Sequence, residues 1–135
     1  MNLVVDASVW LELLVSRTRR SAIAQRLRRS EGDWLAPAHV DLELAQVLGK
    51  AIRTRRLERP VGDAAWARFR RIELRRFPLL DLAPRIWALR DAISAYDAAY
   101  IALAEREGAV LLTCDERLAR TVGHQATIEV LTSPR

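Results

Sequence analysis

Cysteine, histidine and glycine are scarce in this sequence, and each shortage excludes a class of site. Cys114 is the only cysteine among 135 residues, so no internal disulfide can form and a reducing cytoplasm is the expected location. His39 and His124 stand alone, which argues against a histidine-based zinc site. None of the five glycines forms a glycine-rich phosphate-binding loop, so a nucleotide site of that kind is excluded.

Long apolar runs are also absent. No stretch is long and apolar enough to cross a bilayer, so no membrane association is expected. The N-terminus has no charged segment and no small-residue cleavage site, which argues against an export signal. Hydrophobic residues nevertheless make up 50% of the chain, and the length suits a single domain over residues 1–135 with a substantial core.

The charge is positive and comes almost entirely from arginine. Lysine and arginine total 22 against 17 acidic residues, which gives a net charge of +5, and Lys50 is the only lysine. Arginine makes forked contacts with phosphate, so the composition favours an anionic partner such as nucleic acid. A GC-rich coding sequence also enriches arginine, and the charge alone leaves both explanations open.

Buried strands alternate with amphipathic helices along the chain. The apolar run Leu3–Val5 ends at Asp6, and a helix follows at once. Residues 109–113, Asp115 and the helix from Glu116 repeat this pattern. Further strands are predicted at 34–37, within 75–82 and at 128–131. This order predicts an α/β fold with a mostly parallel sheet that is covered on both faces.

Helical spacing assigns several aromatic residues to the core. Trp66 and Trp87 are predicted to be buried, as is usual for tryptophans at such spacing. The helix that contains Trp87 is predicted to begin at Pro84, because proline is favoured at an early helical position. The next helix opens at Ser94, and its predicted core face consists of Tyr96, Ala99, Tyr100 and Leu103.

Four acidic residues are candidates for one shared site. Asp6 and Asp115 follow predicted strands, while Glu43 and Asp97 lie at the edges of buried helix faces. Carboxylates crowded into one cleft repel each other unless a cation neutralises them, and Mg²⁺ binds through a few carboxylates while keeping waters. A magnesium ion held in this way can polarise a phosphate and position a water for attack.

Each acid also has an ordinary structural explanation. Asp6 and Asp115 are of a residue type favoured at helix N-caps. Asp97 follows Ser94 at the spacing of a capping box, and Glu43 could be a partly buried acid paired with an arginine. Phosphoaspartyl proteins are poor alternatives. A receiver domain needs a late lysine, and a haloacid-dehalogenase-like phosphatase needs an aspartate at position 8, where this chain has serine.

Four segments form a specific combination in this order. They are Val4-Val5-Asp6-Ala7-Ser8, the run 43–48 that Glu43 opens, the run 94–104 and the run 112–118. Together they resemble PIN-domain ribonucleases, most of all the VapC toxins of bacterial toxin–antitoxin pairs, over nearly the whole chain. Gln46 stands where that family often has asparagine, a difference expected to alter a supporting hydrogen bond and not the metal-binding acids.

The resemblance implies a three-layer α/β/α PIN-like fold with one acidic pocket for Mg²⁺, which Mn²⁺ can replace. The metal-binding pocket implied consists of Asp6, Glu43, Asp97 and Asp115. Asp6 and Asp97 would be the most direct ligands, and Asp115 would bind directly or through water. Glu43 would hold or deprotonate the attacking water. The hydroxyl groups of Ser8 and Thr113 would orient the carboxylates.

The activity implied is endonucleolytic cleavage of structured RNA, either tRNA or rRNA, leaving a 5′-phosphate and a 3′-hydroxyl. Family members are inhibited by a small VapB-like antitoxin that blocks the pocket, and they commonly form homodimers or toxin–antitoxin hetero-oligomers. The candidates for contact with the RNA backbone, on the basic face of the second helix, are Arg26, Arg28 and Arg29. The alternative is a PIN-fold module that binds RNA or an antitoxin and has lost catalysis.

Overall fold

The computed structural model describes residues 1–131, and a five-stranded parallel sheet forms its centre. The strands are β1 (Leu3–Val5), β2 (Trp34–Pro37), β3 (Arg75–Phe77), β4 (Val110–Thr113) and β5 (Thr127–Val130). The helices are α1 (Ala7–Val15), α2 (Arg20–Arg28), α3 (Val40–Arg53), α4 (Arg59–Phe69), α5 (Leu79–Ala88), α6 (Ala95–Glu107) and α7 (Glu116–Ala119). The last four residues of the predicted domain, 132–135, lie outside the described residues.

The strand order β3-β2-β1-β4-β5 places the first strand in the middle of the sheet. Val4 of β1 pairs with Leu35 of β2 on one side and with Leu111 of β4 on the other. The chain therefore builds the sheet in one direction through β3 and then crosses to the other side of β1. In open parallel sheets, ligands bind beyond the carboxyl ends of the strands at such a reversal, which here lies between β1 and β4.

Successive residues of the central strand pack against opposite helix layers. Val5 belongs to the core formed with α1 to α4, around Trp10 and Phe69. Val4 belongs to the core formed with α5 to α7, around Tyr100. All five side chains are fully buried. This is a three-layer α/β/α arrangement, and the predicted fold class is confirmed. No helix within residues 1–131 has the length and apolar character needed to cross a membrane.

The fifth helix begins earlier than the sequence predicts. α5 starts at Leu79, so Pro84 lies inside the helix and not at its beginning. Pro78 occupies the N-cap position instead. Because the fixed φ of proline is compatible with the start of a helix, both prolines carry the same sequence signal. The earlier start adds the turn that places Leu82 in the core, where it is 2% exposed.

Trp87 and Tyr96 are exposed, so the prediction that both are core residues is wrong. Trp87 is 68% exposed because it follows the packed Ile86 and therefore lies about 100° around α5 from it. Arg90 covers its ring, with the guanidinium carbon 4.8 Å from the centroid. Tyr96 is 61% exposed in the first turn of α6, before the segment of that helix that is buried on every side. Trp66 is half-buried against the α1–α4 core.

Candidate active site

Asp6 lies at the junction between β1 and α1. It occupies the N-cap position of α1, but its side chain makes no capping hydrogen bond, so helix capping does not explain it. Its Oδ2 instead accepts hydrogen bonds from Ser8 Oγ at 2.8 Å and from Thr113 Oγ1 at 2.7 Å. Burial raises the pKa of Asp6 above its usual value despite these two donors, and the charge of Asp97 raises it further.

The same two hydroxyl groups connect Asp6 to the end of β4. Ser8 Oγ accepts a hydrogen bond from the backbone N–H of Cys114 at 3.0 Å. Thr113 Oγ1 accepts one from the backbone N–H of Asp115, also at 3.0 Å. Each hydroxyl therefore donates a hydrogen bond to Asp6 and accepts one from the β4–α7 connection. These hydrogen bonds join the carboxyl ends of two neighbouring strands, β1 and β4.

Glu43 lies in the first turn of α3, shortly after the carboxyl end of β2. Its Oε1 accepts a 2.6 Å hydrogen bond from the hydroxyl of Tyr100 and lies 3.2 Å from Nε2 of His39. Within residues 1–131 no arginine pairs with it, so the ion-pair explanation does not apply. Burial raises the pKa of Glu43 to about 7, and the charges of Asp6 and Asp97 act in the same direction.

His39 immediately precedes α3 and is 8% exposed. Its Nε2 lies 3.1 Å from the carbonyl oxygen of Tyr96, an acceptor, so Nε2 carries the ring hydrogen. Burial lowers the pKa of His39, which keeps the ring neutral. The unprotonated Nδ1 is buried without a hydrogen-bond partner. From the sequence, His39 is considered only as a zinc ligand, and its contact with Glu43 is not predicted. The signal for that contact is the spacing of four residues, which puts both side chains on one helix face.

Asp97 lies in the first turn of α6. Its backbone N–H donates to Ser94 Oγ at 3.3 Å, so Ser94 caps the helix. In the described part of the chain, no group donates to the Asp97 carboxylate, and a closed capping box is not formed. The charge of Asp97 raises the pKa of both Asp6 and Glu43, which shows that these three carboxylates share one electrostatic neighbourhood.

Asp115 is held by a cation. Its Oδ1 accepts from the backbone N–H of Arg117 at 2.9 Å, which caps α7, and its Oδ2 accepts from the Arg117 guanidinium at 2.8 Å. This pairing lowers the pKa of Asp115 below its usual value. The structure therefore does not present Asp115 to the other three acids as an unpaired carboxylate. This ion pair with Arg117 is not predicted from the sequence. The signal for it is an arginine two residues after an acid at the start of a helix.

All four acids lie at helix N-termini, where the helix dipole favours negative charge. Oxygen ligands of this kind suit a hard divalent cation. As the side chains stand, no three His, Cys, Asp or Glu residues among positions 1–131 converge closely enough to hold an ion. Magnesium typically binds through only one or two carboxylates and keeps several waters, so the donor chemistry fits such an ion. The assignment of individual ligands stays a prediction.

The arginines at the end of α2 and just after it differ in their surroundings. Arg26 makes a two-pronged ion pair with Glu129 of β5, with Nε and Nη2 at 2.6 and 3.0 Å from the carboxylate oxygens. Arg28 and Arg29 are exposed. Contact of these residues with RNA stays a prediction, and the ion pair makes Arg26 the least available of the three.

Comparison with known proteins decides the family. The chain matches the PIN domain over residues 3–123. Ribonuclease VapC12 of Mycobacterium tuberculosis is 37% identical over 130 residues, which cover 96% of this chain and 98% of that protein. Ribonuclease VapC3 of the same organism is 42% identical over 120 residues, or 88% and 86% of the two chains. The chain belongs to the VapC ribonucleases of the PIN-domain family.

A solved structure shows the same fold. The structure of VapBC2 from Rickettsia felis, bound to a DNA fragment from its promoter, matches with a TM-score of 0.67 and 13% identity. The match covers 96% of this chain and 98% of that chain. The likeness in structure confirms the PIN fold, and the family assignment confirms the prediction of a VapC-type endoribonuclease.

Proposed function

We propose that this VapC ribonuclease is the toxin of a toxin–antitoxin pair and hydrolyses structured RNA, either tRNA or rRNA, with Mg²⁺ as cofactor. The observation that carries the proposal is the placement of Asp6, Glu43 and Asp97 at helix N-termini beyond the carboxyl ends of the strands. Burial and mutual repulsion raise the pKa of Asp6 and of Glu43. A divalent cation bound among these carboxylates would relieve that repulsion.

The residues of the chain suggest distinct tasks. Asp6 and Asp97 would hold Mg²⁺, or Mn²⁺ in its place, which when bound polarises a phosphate and acidifies a water. Ser8 and Thr113 keep the Asp6 carboxylate in one orientation through the hydrogen bonds described above. Glu43, with its pKa of about 7, is suited to accept a proton from the attacking water near neutral pH. Asp115 would join the ligands only after its ion pair with Arg117 opens.

The partner proposed is a VapB-like antitoxin. The α5 helix exposes Leu80 and Trp87, at 83% and 68%, and apolar side chains of this size are often covered by protein partners. A groove of about 150 Å³ beside them is lined by His39, Leu79, Ile86, Ala95, Tyr96 and Ala99. Because His39 contacts Glu43, an antitoxin segment in this groove would lie next to the acidic site. The likeness in fold to VapBC2 supports such a partner. The proposal also includes assembly into homodimers or toxin–antitoxin hetero-oligomers.

The direct test is incubation of total cellular RNA with purified protein and Mg²⁺ or Mn²⁺. We expect one RNA species to be cut at a discrete position, and the cut to be absent with EDTA and with Asp6→Asn. Asp63→Asn is the matched control, because Asp63 is an exposed aspartate on α4. Cleavage by Asp6→Asn at the wild-type rate would show that Asp6 is not part of the active site.

A negative result with folded wild-type protein has two possible causes, which metal binding separates. A ligand that binds only the folded state stabilises it by about 2.7 kcal/mol at 100 times its Kd. Stabilisation of wild type but not of Asp6→Asn by Mn²⁺ would indicate a missing RNA substrate. No stabilisation of either would favour the alternative of a PIN-fold binding module without catalysis.

A further inference from the structure

One side-chain oxygen of Glu43, Oε1, has two close polar neighbours, of which Tyr100 donates a hydrogen bond to it. Its Oε1 accepts the 2.6 Å hydrogen bond from the Tyr100 hydroxyl and lies 3.2 Å from Nε2 of His39. Within residues 1–131, no protein group donates to the other oxygen, Oε2. The two oxygens of this carboxylate are therefore in different situations: one is engaged by the protein, and the other remains for water or a cation.

Tyr100, which donates to Oε1, and His39, which lies next to it, are both fixed in place. Tyr100 is 0% exposed and belongs to the core between α6 and the sheet. The His39 ring packs edge-to-face against the Tyr100 ring, with centroids 5.2 Å apart, and its Nε2 also lies 3.1 Å from the Tyr96 carbonyl oxygen. Tyr100 comes from the same helix as Asp97, so the hydrogen bond sets Glu43 of α3 relative to the helix that carries the next acid.

The hydroxyl that holds Glu43 is neutral, whereas the group that holds Asp115 is a cation. Arg117 contacts both carboxylate oxygens of Asp115 and brings a positive charge to them. A phenol hydroxyl orients a carboxylate without bringing a positive charge to it, so Glu43 remains able to take up a proton or to bind a metal. A glutamate side chain has several rotatable bonds, and fixing them before the reaction removes an entropic part of the barrier.

We propose that Tyr100 is a positioning residue for RNA hydrolysis, supported by His39: its hydroxyl occupies Oε1 of Glu43, so that Oε2 is the oxygen that meets the attacking water. This inference rests on the function proposed above. Tyr100 acts through Glu43 and contacts neither the RNA nor the metal.

The kinetic test is Tyr100→Phe, which removes one oxygen and keeps the buried ring. At saturating RNA we expect kcat to fall about 10- to 100-fold, as is typical when a group that orients a site residue is removed. The KM for RNA should stay unchanged, because the substituted atom makes no substrate contact. In a Glu43→Gln background the same substitution should have no further effect on the single-turnover rate, since the residue through which Tyr100 acts is already changed.

A second readout does not depend on activity. In metal-free protein, the carboxyl-carbon NMR signal of Glu43 is identified by its disappearance in Glu43→Gln. We expect Tyr100→Phe to shift or broaden this signal, because the carboxylate loses its main donor and samples more conformations. Thermal unfolding of the same sample reports whether the variant is folded.

The outcomes separate this inference from the proposed function. A kcat within twofold of wild type, or an equal loss in the Glu43→Gln background, would overturn the positioning role of Tyr100. An unchanged NMR signal would overturn it as well. If wild type cleaves no RNA and is not stabilised by Mn²⁺ but the NMR signal moves, Tyr100 holds Glu43 as described and the proposed function is the part that fails.

Discussion

Thr113 donates a 2.7 Å hydrogen bond from Oγ1 to Oδ2 of Asp6, and so joins two acids that follow neighbouring strands. The hydroxyl is buried, and its oxygen accepts a hydrogen bond from the backbone N–H of Asp115 at 3.0 Å. One oxygen atom thus links the residue after β1 to the turn after β4. The stability of this edge of the sheet and the orientation of Asp6 depend on the same hydroxyl group.

Replacing Thr113 by valine keeps a similar shape but removes that oxygen. We expect the free energy of unfolding to fall by about 1–3 kcal/mol, because the Asp6 carboxylate and the Asp115 N–H each lose a partner. We also expect the affinity for Mn²⁺ to fall roughly tenfold or more, since Asp6 is no longer held in one orientation. Urea denaturation and Mn²⁺ titration measure the two effects.

The matched control for this variant is Thr127→Val, because Thr127 is an exposed threonine on β5. It should change neither quantity noticeably. Equal effects of the two substitutions would show that the hydroxyl at position 113 has no special role at the site.

The metal-free protein should lose stability as the pH rises through the pKa of Glu43. Folding raises this pKa from 4.5 to about 7, so the folded state favours the protonated carboxyl. The contribution is complete below about pH 4.5 and is lost as the pH passes 7, with a size of about 2 kcal/mol after allowance for partial exposure. The raised pKa of Asp6 acts with the same sign, and the lowered pKa of His39 acts with the opposite sign.

The difference between wild type and Glu43→Gln isolates the part due to Glu43. Unfolding free energies should be measured in EDTA from about pH 5 to pH 8. Asp41→Asn is the control in the same turn of α3, because an ion pair with Arg76 lowers the pKa of Asp41 and moves its titration below this window. A difference between wild type and Glu43→Gln that stays constant with pH would contradict the raised pKa.

Removing the charge of Arg117 should release Asp115 for metal binding. We expect Arg117→Gln to bind Mn²⁺ several-fold more tightly than wild type in the absence of RNA, because the cation no longer competes for the carboxylate. Arg120→Gln is the control: Arg120 also lowers the pKa of Asp115 through its charge but makes no hydrogen bond to it. Equal affinities of wild type and Arg117→Gln would show that Asp115 is not a metal ligand.

Arg28, the last residue of α2, and Arg29, which follows it, are expected to bind the RNA backbone. Replacing Arg28 and Arg29 by glutamine should weaken RNA binding and reduce the slope of log K against log salt by roughly 1 for each phosphate that is no longer neutralised. Arg26→Gln should affect stability more than RNA affinity, because Arg26 is paired with Glu129. An unchanged salt slope in the double variant would show that this face is only solvated.

The positions of the four acids follow from local sequence, but the hydrogen-bond partner of Glu43 does not. The strand-acid-helix patterns at Asp6 and Asp115 predict the sheet edge correctly, because parallel strands end at a common edge. The hydrogen bond between Tyr100 and Glu43 joins residues 57 positions apart, and it depends on how α3 and α6 pack. Periodicity identifies Tyr100 as a core residue without showing that its hydroxyl reaches an acid.

The exposed Trp87 is a second case in which local pattern is insufficient. Its spacing is that of a buried residue, but the helix phase is set by Leu82 and Ile86, and these depend on where α5 begins. The ion pair between Arg26 and Glu129 spans 103 positions and changes a residue of a basic surface into one that ties α2 to β5. Contacts of this kind require the three-dimensional arrangement of the elements.

The central claim is that water attacks the RNA phosphate in the site formed by Asp6, Glu43 and Asp97. The chemical nature of the product ends tests this claim most directly. Attack by water breaks the bond from phosphorus to O3′, leaves a 5′-phosphate and a 3′-hydroxyl, and does not use the 2′-hydroxyl. We expect these ends with Mg²⁺, no product with Asp97→Asn or EDTA, and continued cleavage of RNA with a 2′-deoxy residue at the cut. A 2′,3′-cyclic phosphate, formed equally fast by Asp97→Asn, would contradict the account.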